Sequence, residues 1–346
     1  MARILYGLSG EGFGHAARSK EVIDYLRSRG HEVSIATHDR GLKYLSEFYQ
    51  VEKIGGFSFV YESNEVKYAK TVFSNWLKRK ETLESLQQLS GLIEERQIDL
   101  VISDYEPLTA LSAKLKRLPL ISLDNQHVLT KTKLDYPREH KASFLTNSLL
   151  NRLFIVQPKN YLILSFFPCQ PRGGKVFVFK PIVKSEILSA KPTIGDKILV
   201  YLTSGFEGAA DVLKDLPAEF IVYGLKREGQ DGNLLFKNME RASFSEDLIK
   251  CRAVIANAGF ALISEALFLA KPYLAIPAGA QFEQFLNAYH LAKLGYGATS
   301  EQFTAEAVSD FLNKLEEYRQ HLAGGMEPGN QQVFAKLDEL IALYVK

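Results

Sequence analysis

A histidine closes a glycine-rich turn near the start of the chain. The segment from Gly7 to His15 contains four glycines and lies between an apolar run and a helical pattern. Glycines let the backbone approach a ligand closely, and the free amides at a helix start can bind an anion or a polar oxygen. The imidazole of His15 could act there as a general base near neutral pH. The alternative is that His15 only caps the helix or packs against it.

The same turn matches a dinucleotide-binding fingerprint only in part. Gly10 and Gly12 fit the pattern G-x-G-x-x-G, but His15 stands where the third glycine belongs. A nicotinamide-dependent oxidoreductase is therefore disfavoured.

Two acids follow a second apolar run, residues 99–103. Asp104 comes directly after this predicted strand, and it could hold the far nitrogen of His15 and stabilise the imidazolium. Asp104 could equally be a helix N-cap ahead of Pro107. The Asp104-x-Glu106 spacing has no third ligand beside it, so we predict no metal.

A turn of small residues in the second half leads from a strand into a helix. Ala258 and Gly259 follow Asn257 there, and they leave the amides of the helix start open to a diphosphate. Glu265 lies near the middle of that helix, where its carboxylate could accept both hydroxyls of a ribose. A solvated glutamate on the helix surface is the ordinary alternative.

Two further turns carry groups that suit a phosphorylated sugar. Glu283 and Gln284 lie at the next strand-to-helix turn, where a carboxylate accepts hydrogen bonds from sugar hydroxyls and an amide both donates and accepts. The turn at 203–205, Thr-Ser-Gly, is small and rich in donors for phosphate. Each turn could instead serve only as a helix cap.

The elements that position these residues repeat a strand-then-helix pattern, which predicts an α/β fold with parallel sheets. The helix after the first strand carries Ala16, Ser19, Ile23 and Leu26 on one face and ends at Gly30, in the left-handed conformation. Strands are predicted at 4–7, 31–37, 99–103, 119–123, 161–164, 176–179, 198–202, 220–223, 253–256 and 273–276.

The pattern is interrupted at 180–197, a segment with two prolines and little periodicity that we predict to be a linker. The predicted domains are 1–180 and 181–330. A final helix, 331–346, has no strand after it and is expected to pack back on the first domain.

Composition narrows the classes of protein further. The chain has 346 residues, 46% of them hydrophobic, and a formal charge of +2, which does not indicate a nucleic-acid partner. The two cysteines, Cys169 and Cys251, fit no zinc spacing. With no signal-peptide pattern and no long apolar stretch, we expect a cytoplasmic protein.

Taken together, these positions resemble the UDP-glycosyltransferase superfamily, including the bacterial cell-wall N-acetylglucosaminyltransferase that acts on a lipid-linked acceptor. The opening Gly10-x-Gly12-x-Gly14-His15-x-x-Arg18 is similar to the G-x-G-H-x-x-R turn of bacterial members. Five segments resemble the donor-binding region of this superfamily: Asn257-Ala258-Gly259, Ser264-Glu265-Ala266-Leu267, Lys271-Pro272, Pro277 and Glu283-Gln284-x-x-Asn287-Ala288.

The resemblance implies the GT-B fold, in which two Rossmann-like domains face each other across a cleft. It also implies an inverting transfer of sugar from a UDP-linked donor to a hydroxyl, without metal or other cofactor. His15 would deprotonate the acceptor, and Asp104 would orient His15. Two positions depart from the pattern: Asn257 stands where many members have histidine or arginine, and Ala261 where a polar residue is frequent.

The resemblance also assigns the remaining site residues. Glu265 would bind the ribose, and Glu283 with Gln284 would hold the donor sugar. The donor-binding residues are thus predicted to be Thr203, Ser204, Gly205, Phe244, Asn257, Ala258, Gly259, Glu265, Glu283 and Gln284. The acceptor-side loop is predicted to consist of Gly12, Gly14 and Arg18.

The acceptor is expected to be a glycan, a lipid-linked molecule or a small molecule. Basic and aromatic residues between Lys67 and Lys80 could dock an anionic partner, or they could form an ordinary solvated helix. The run 143–154 could lie at the inner face of a membrane and give a weak peripheral contact, or it could be a helix of the domain core.

Two other functions share this architecture. One is a UDP-sugar 2-epimerase, which needs additional catalytic acids, and the other is a nucleotide-sugar or glycan-binding module without transferase activity. Retention of His15, Asp104, Glu265 and Gln284 together argues against the second.

Overall fold

The chain forms two α/β units, each built on its own parallel sheet. The structure, a computed structural model, describes residues 1–56, 61–62, 65–66, 79–155, 157–202, 208–279 and 281–345. Unit 1 comprises Met1–Val60, Lys67–Ile182 and Pro328–Lys346, and unit 2 comprises Tyr61–Val66 and Val183–Glu327. The sequence predicts a change of domain after residue 180 and a last segment from residue 331.

The sheet of unit 1 has seven parallel strands in the order β11-β9-β7-β6-β1-β2-β3. Their bounds are β1 Arg3–Leu8, β2 Glu32–Thr37, β3 Glu52–Lys53, β6 Leu100–Asp104, β7 Leu120–Asp124, β9 Asn160–Leu164 and β11 Val176–Phe179. Strands β8 (Thr132–Lys133) and β10 (Gln170–Pro171) pair separately as an antiparallel ribbon.

The helices of unit 1 flank this sheet. They are α1 Phe13–Ser28, α2 Asp39–Leu45, α3 Arg79–Glu95, α4 Pro107–Leu115, α5 Val128–Lys131, α6 Lys141–Phe154 and the C-terminal helix, called α14 below, Asn330–Tyr344. The last helix packs on α1: Tyr25 stacks on Phe334 at 4.2 Å between ring centroids and donates to Asp338 at 2.7 Å.

The sheet of unit 2 also has seven strands, in the order β14-β15-β13-β12-β16-β17-β18, and only the β14–β15 pair is antiparallel. Its strands are β12 Ile198–Tyr201, β13 Phe220–Tyr223, β14 Gly229–Asp231, β15 Leu234–Lys237, β16 Ala253–Ala256, β17 Tyr273–Ala275 and β18 Gly297–Thr299. Strands β4 (Tyr61–Glu62) and β5 (Glu65–Val66) form a short antiparallel pair.

The helices of unit 2 follow its strands. They are α7 Ser185–Leu188, α8 Ala209–Lys214, α9 Arg241–Lys250, α10 Phe260–Phe268, α11 Phe282–Lys293, α12 Ala305–Asn313 and α13 Leu315–His321.

The predicted α/β architecture with parallel sheets is confirmed, because buried aliphatic runs form the strands of both sheets. Ile4, Leu5, Tyr6 and Leu8 of β1 are all fully buried, as expected for a central strand covered by helices on both sides. Gly30 ends the first helix region with φ +80°, a conformation that a side chain would strain. None of the helices described is both long and apolar enough to cross a bilayer.

Candidate active site

The first cluster of polar side chains lies where the strand order of unit 1 reverses. The chain leaves β1 to form β2 on one side, whereas β6 lies on the other side of β1. Leu8 pairs with Asp104, so β1 and β6 end at the same level of the sheet. Ligands of open α/β sheets bind at such a reversal, beyond the carboxyl ends of the strands.

His15 and Asp104 are in direct contact at this edge. Nδ1 of His15 lies 2.8 Å from Oδ1 of Asp104, and the aspartate side chain is fully buried, whereas 15% of the histidine side chain is exposed. A carboxylate only accepts hydrogen bonds, so Nδ1 carries the proton of the neutral imidazole and Nε2 carries the lone pair. The lone pair on Nε2 is what a general base requires.

Arg18 holds the other side of the same carboxylate. Its Nη2 and Nε lie 2.5 and 2.7 Å from the two oxygens of Asp104, a two-pronged contact, and Ser19 donates to Oδ2 at 3.1 Å. Burial by itself raises the pKa of Asp104, but the charge of Arg18 and the His15 contact outweigh it and hold the pKa well below its usual range. Asp104 is therefore an anion in the folded chain.

The guanidinium of Arg18 has a second partner. Its Nη1 donates to Oδ1 of Asn125 at 2.6 Å, and the arginine is buried. Nη2 of Arg18 is also 2.9 Å from Nδ1 of His15, but its closer acceptor is the carboxylate. Arg18, predicted for the acceptor-side loop, thus lies beneath His15 and fixes Asp104.

The glycine-rich turn above these residues is closely packed at Gly10. Its amide donates to Nε2 of His38 at 3.1 Å, and a Cβ at this position would lie 2.1 Å from the carbonyl oxygen of His38. Only glycine fits there. Gly12 is the N-cap of α1 with extended backbone, no side chain caps the helix there, and Gly14 lies in the first turn. These amides can therefore receive a polar ligand atom.

Gln126 reaches Nε2 of His15 from the loop after β7. Its Nε2 lies 3.3 Å from Nε2 of His15. The loop is braced from α6, because Asn151 donates to the carbonyl of Gln126 at 2.8 Å and its own amide oxygen accepts from the hydroxyl of Tyr105. Tyr105 directly follows Asp104 and has φ +54°, which is unusual for a bulky residue. A closed set of contacts thus joins Asp104 and Gln126 around His15.

A second buried acid–histidine pair lies in the same loop. Oδ2 of Asp124 is 2.8 Å from Nδ1 of His127 and accepts from Ser122 at 2.6 Å, and all three side chains are buried. Burial by itself raises the pKa of Asp124. The charge of His127 and these hydrogen bonds lower the pKa by more, so that the net shift is downward. This pair fixes the loop that carries Gln126.

The N-cap alternative for Asp104 is wrong, because Glu106 caps the helix. The carboxylate of Glu106 accepts from the amides of Leu108 and Thr109 at 2.9 and 2.6 Å. Burial raises the pKa of Glu106. Across the residues that the structure describes, no three His, Cys, Asp or Glu side chains come together in a way that could hold a metal ion.

In unit 2, the side chains of two asparagines hydrogen-bond around the turn after β16. Asn257 donates its side-chain amide to the carbonyl of Ile276 at 3.0 Å, and Asn287 donates to the carbonyl of Ala258 at 3.0 Å. Gly259 is the N-cap of α10 with extended backbone and no side-chain cap, and the first turn contains no acid. The first amides of α10 and its dipole therefore favour an anion at this end.

Glu265 lies in the second turn of the same helix and is not solvated. The residue is only 7% exposed, and its Oε2 is 3.3 Å from Nζ of Lys184. The alternative of a solvated helix glutamate is therefore wrong. Lys184 comes from the predicted linker and is also 3.5 Å from Glu186. A buried carboxylate that pairs with a cation can still accept hydrogen bonds from further donors.

Glu283 and Gln284 lie in the first turn of α11, as predicted, but the amide of Gln284 is used inside its own turn. Its Oε1 accepts from the backbone amide of Ala278 at 2.8 Å, and its Nε2 donates to the side chain of Gln281 at 2.9 Å. Glu283 is half-buried. A sugar that binds Gln284 would have to share or replace these contacts.

Phe244, in the first turn of α9, packs between the last residues of two strands. Its ring meets Tyr201 and Tyr223 edge to face, at 5.5 and 5.0 Å between centroids, and it is buried. Thr203, Ser204 and Gly205 lie outside the described residues, as does most of the Lys67–Lys80 segment. The donor-binding assignments therefore stay predictions.

Several residues of these clusters were not identified from the sequence. Asn125, Gln126 and His127 follow β7 as a polar run, which is the same signal of a strand end that pointed to Asp104. Lys184 and Asn151 gave no such signal, because each reaches its partner from an element distant in sequence.

Three comparisons with known proteins bear on this chain. Residues 2–316 match the sequence model of glycosyl transferase family 1. A protein of Methanosarcina acetivorans described as an uncharacterized glycosyltransferase is 25% identical, and the match covers 94% of this chain and 95% of that protein.

Solved structures share the fold at low sequence identity. MurG of Acinetobacter baumannii has a TM-score of 0.63 at 15% identity, and the match covers 98% of this chain and all of that one. A UDP-glucosyltransferase of Polygonum tinctorium has a TM-score of 0.67 at 13% identity, over 100% of this chain and 99% of that one.

Proposed function

Since this chain belongs to glycosyl transferase family 1, it is a glycosyltransferase with the GT-B fold, and we propose that it transfers a sugar from a UDP-linked donor to an acceptor hydroxyl with inversion at the anomeric carbon. The observation that carries the proposal is the contact between His15 and the buried, anionic Asp104.

The proposed base is Nε2 of His15. The acceptor hydroxyl gives its proton to this nitrogen while its oxygen attacks the anomeric carbon, and the bond from that carbon to the diphosphate oxygen breaks. Asp104 keeps Nδ1 protonated and stabilises the imidazolium, as the aspartate does in acid–histidine pairs of other enzymes. Gln126 lies 3.3 Å from the same nitrogen and can hydrogen-bond the acceptor oxygen.

The proposed donor site is the region of α10 and α11 in unit 2. The uncapped start of α10 stabilises the negative charge that develops on the leaving diphosphate, without a metal ion. Glu265 accepts the ribose hydroxyls, and Glu283 with Gln284 holds the sugar. Attack from the side opposite the diphosphate gives inversion.

A panel of nucleotide sugars tests this function. The chain is incubated with UDP-, GDP- and dTDP-linked sugars, with and without candidate hydroxyl acceptors and with a chelator in a parallel set. The expected result is release of UDP that depends on an acceptor and is unaffected by the chelator. Thermal shift with UDP, GDP, dTDP and NAD selects the nucleotide first, because a ligand that binds the folded chain raises its melting temperature.

Three outcomes contradict the proposal. Release of UDP with formation of an epimerised free sugar indicates a 2-epimerase, and binding of nucleotide without turnover on any acceptor indicates a binding module. Turnover lost on chelation shows that a metal takes part.

A further inference from the structure

The positive charge of the chain is concentrated in one segment of unit 1. Residues 125–182 contain nine Lys and Arg but only two Asp and Glu, whereas the whole chain contains 42 and 40. The segment has a formal charge of +7, and the rest of the chain, with 33 and 38, has −5. A surface built from this segment attracts anions although the chain is nearly neutral.

Helix α6 of this segment presents an apolar strip between two cations. Lys141, Leu145, Leu149 and Arg152 follow one another at spacings of four, four and three residues, so they lie on the same side of the helix. Leu145 and Leu149 are 56% and 60% exposed. Ser148 and Asn151 of the same helix are buried, so α6 packs on the core with one side and exposes the two leucines on another.

Further cations lie beside the C-terminal end of α6. The backbone amide of Arg172 donates to the carbonyl of Lys131 at 2.8 Å, and the Lys131 ammonium lies 4.4 Å from the centroid of the Tyr161 ring. Burial and, after it, the charge of Arg152 lower the pKa of Lys131. Within the described ranges, no Asp or Glu forms an ion pair with Lys131, Arg152 or Arg172.

We propose that α6 and the neighbouring cations Lys131, Lys133 and Arg172 form a docking surface for an anionic lipid bilayer. An exposed leucine pair between basic residues is the pattern of helices that lie in the membrane interface, where the apolar side chains enter the acyl boundary and the cations contact phosphates. A soluble polyanion would use the cations but not Leu145 and Leu149. The exposed leucines beside the cations therefore favour the bilayer over a soluble polyanion.

Vesicle flotation with the full chain tests this surface. Phosphatidylcholine vesicles are compared with vesicles that also contain phosphatidylglycerol, at low and at physiological salt. Two variants address the two components: Leu145→Ser with Leu149→Ser removes the apolar strip, and Lys133→Gln with Arg152→Gln removes two charges. Lys191→Gln with Lys314→Gln, at two exposed positions of unit 2, is the matched control.

The chain is expected to float with anionic vesicles and not with neutral ones, more weakly as salt rises. Each charge removed from the surface should weaken the partition about fivefold, the leucine variant should also lose binding, and the control should bind like the wild type. Melting temperatures must be unchanged, which the exposure of all four side chains makes the expected result. Equal flotation with both vesicle types, or unchanged binding of both α6 variants, overturns the proposal. Binding of soluble glycerol phosphate without binding to vesicles also overturns it.

Discussion

Nδ1 of His15 and Oδ1 of Asp104 are 2.8 Å apart, with the aspartate fully buried and the histidine at the surface edge of the same cluster. Arg18 contacts both oxygens of that aspartate, so the carboxylate is fixed in place and charged before any ligand binds. The arrangement orients the imidazole with Nε2 outward. In the proposed reaction, an imidazole that is already oriented lowers the barrier of the proton transfer.

Asp104→Asn should lower both turnover and stability. The amide would leave the Arg18 guanidinium buried without its counter-charge, which costs about 3–5 kcal/mol when one partner of a buried pair is removed. Turnover should fall by orders of magnitude, because His15 loses the contact that sets its tautomer. Urea unfolding and steady-state kinetics measure the two effects.

Asp99→Asn is the matched control for that variant. Asp99 also contacts an arginine, Arg3, and lies just before β6, but this ion pair is partly exposed. Loss of this exposed ion pair should change the stability little and leave turnover unchanged. If Asp104→Asn resembles this control in both measurements, Asp104 does not act on His15.

Tyr105→Phe should reduce turnover without weakening nucleotide binding. The change removes the hydroxyl that holds Asn151, and Asn151 holds the loop of Gln126 next to His15. We expect kcat to fall several-fold. In the double variant Asn151→Ala with Tyr105→Phe, the loss of kcat, expressed as a free energy, should be smaller than the sum of the two single losses, because residues of one network couple. Tyr25→Phe removes a comparable hydroxyl contact, to Asp338, and should leave kcat unchanged. Additive losses in the double variant would contradict the network.

Glu265→Gln should weaken binding of UDP roughly 10- to 100-fold, since hydrogen bonds to a charged acceptor contribute about 1.5–3 kcal/mol each. The loss should be smaller for 2′-deoxy-UDP, which lacks one of the two ribose hydroxyls. Titration calorimetry with both nucleotides measures the difference. Glu186→Gln is the control, because Glu186 also contacts Lys184 but is half-exposed. An equal loss of UDP affinity in both variants would show that the loss arises from Lys184 and not from a contact of Glu265 with the ribose.

Acid should destabilise unit 1 through Asp104 and Asp124. The pKa of each carboxyl is lower in the folded chain than in the unfolded one. The unfolded chain therefore takes up protons first, and the stabilisation present at neutral pH is lost as the pH falls below about 4. The urea midpoint should decline there, and the decline should be shallower in Asp104→Asn. The control Asp135→Asn, at an exposed position, should follow the wild-type curve. If the urea midpoint of Asp104→Asn declines with pH as steeply as that of the wild type, the lowered pKa of Asp104 is contradicted.

Much of the fold could be predicted from the sequence because its strands are short buried aliphatic runs with polar or small residues after them. Val176–Phe179, Phe220–Tyr223 and Ala253–Ala256 coincide with the predicted strands. The same pattern predicted that Asp104 could contact His15, since the carboxyl ends of adjacent parallel strands lie at one edge of the sheet.

The remaining contacts depend on three-dimensional packing that local sequence does not reveal. By residue type Asp104 is the better helix cap, whereas Pro107 at the first helical position makes Glu106 the N-cap, and in the structure Glu106 takes that role. The burial of Glu265 depends on Lys184, which is about eighty positions away in the chain. Periodicity cannot identify such a partner.

The role of His15 as the base is tested most directly by His15→Ala, measured for turnover and for UDP affinity on the same preparation. The side chain is at the edge of the cluster and partly exposed, so the fold should survive. We expect kcat to fall about 10²- to 10⁴-fold, the range of general base catalysis, while the dissociation constant of UDP stays nearly unchanged. Wild-type turnover in His15→Ala would contradict the assignment of His15 as the base.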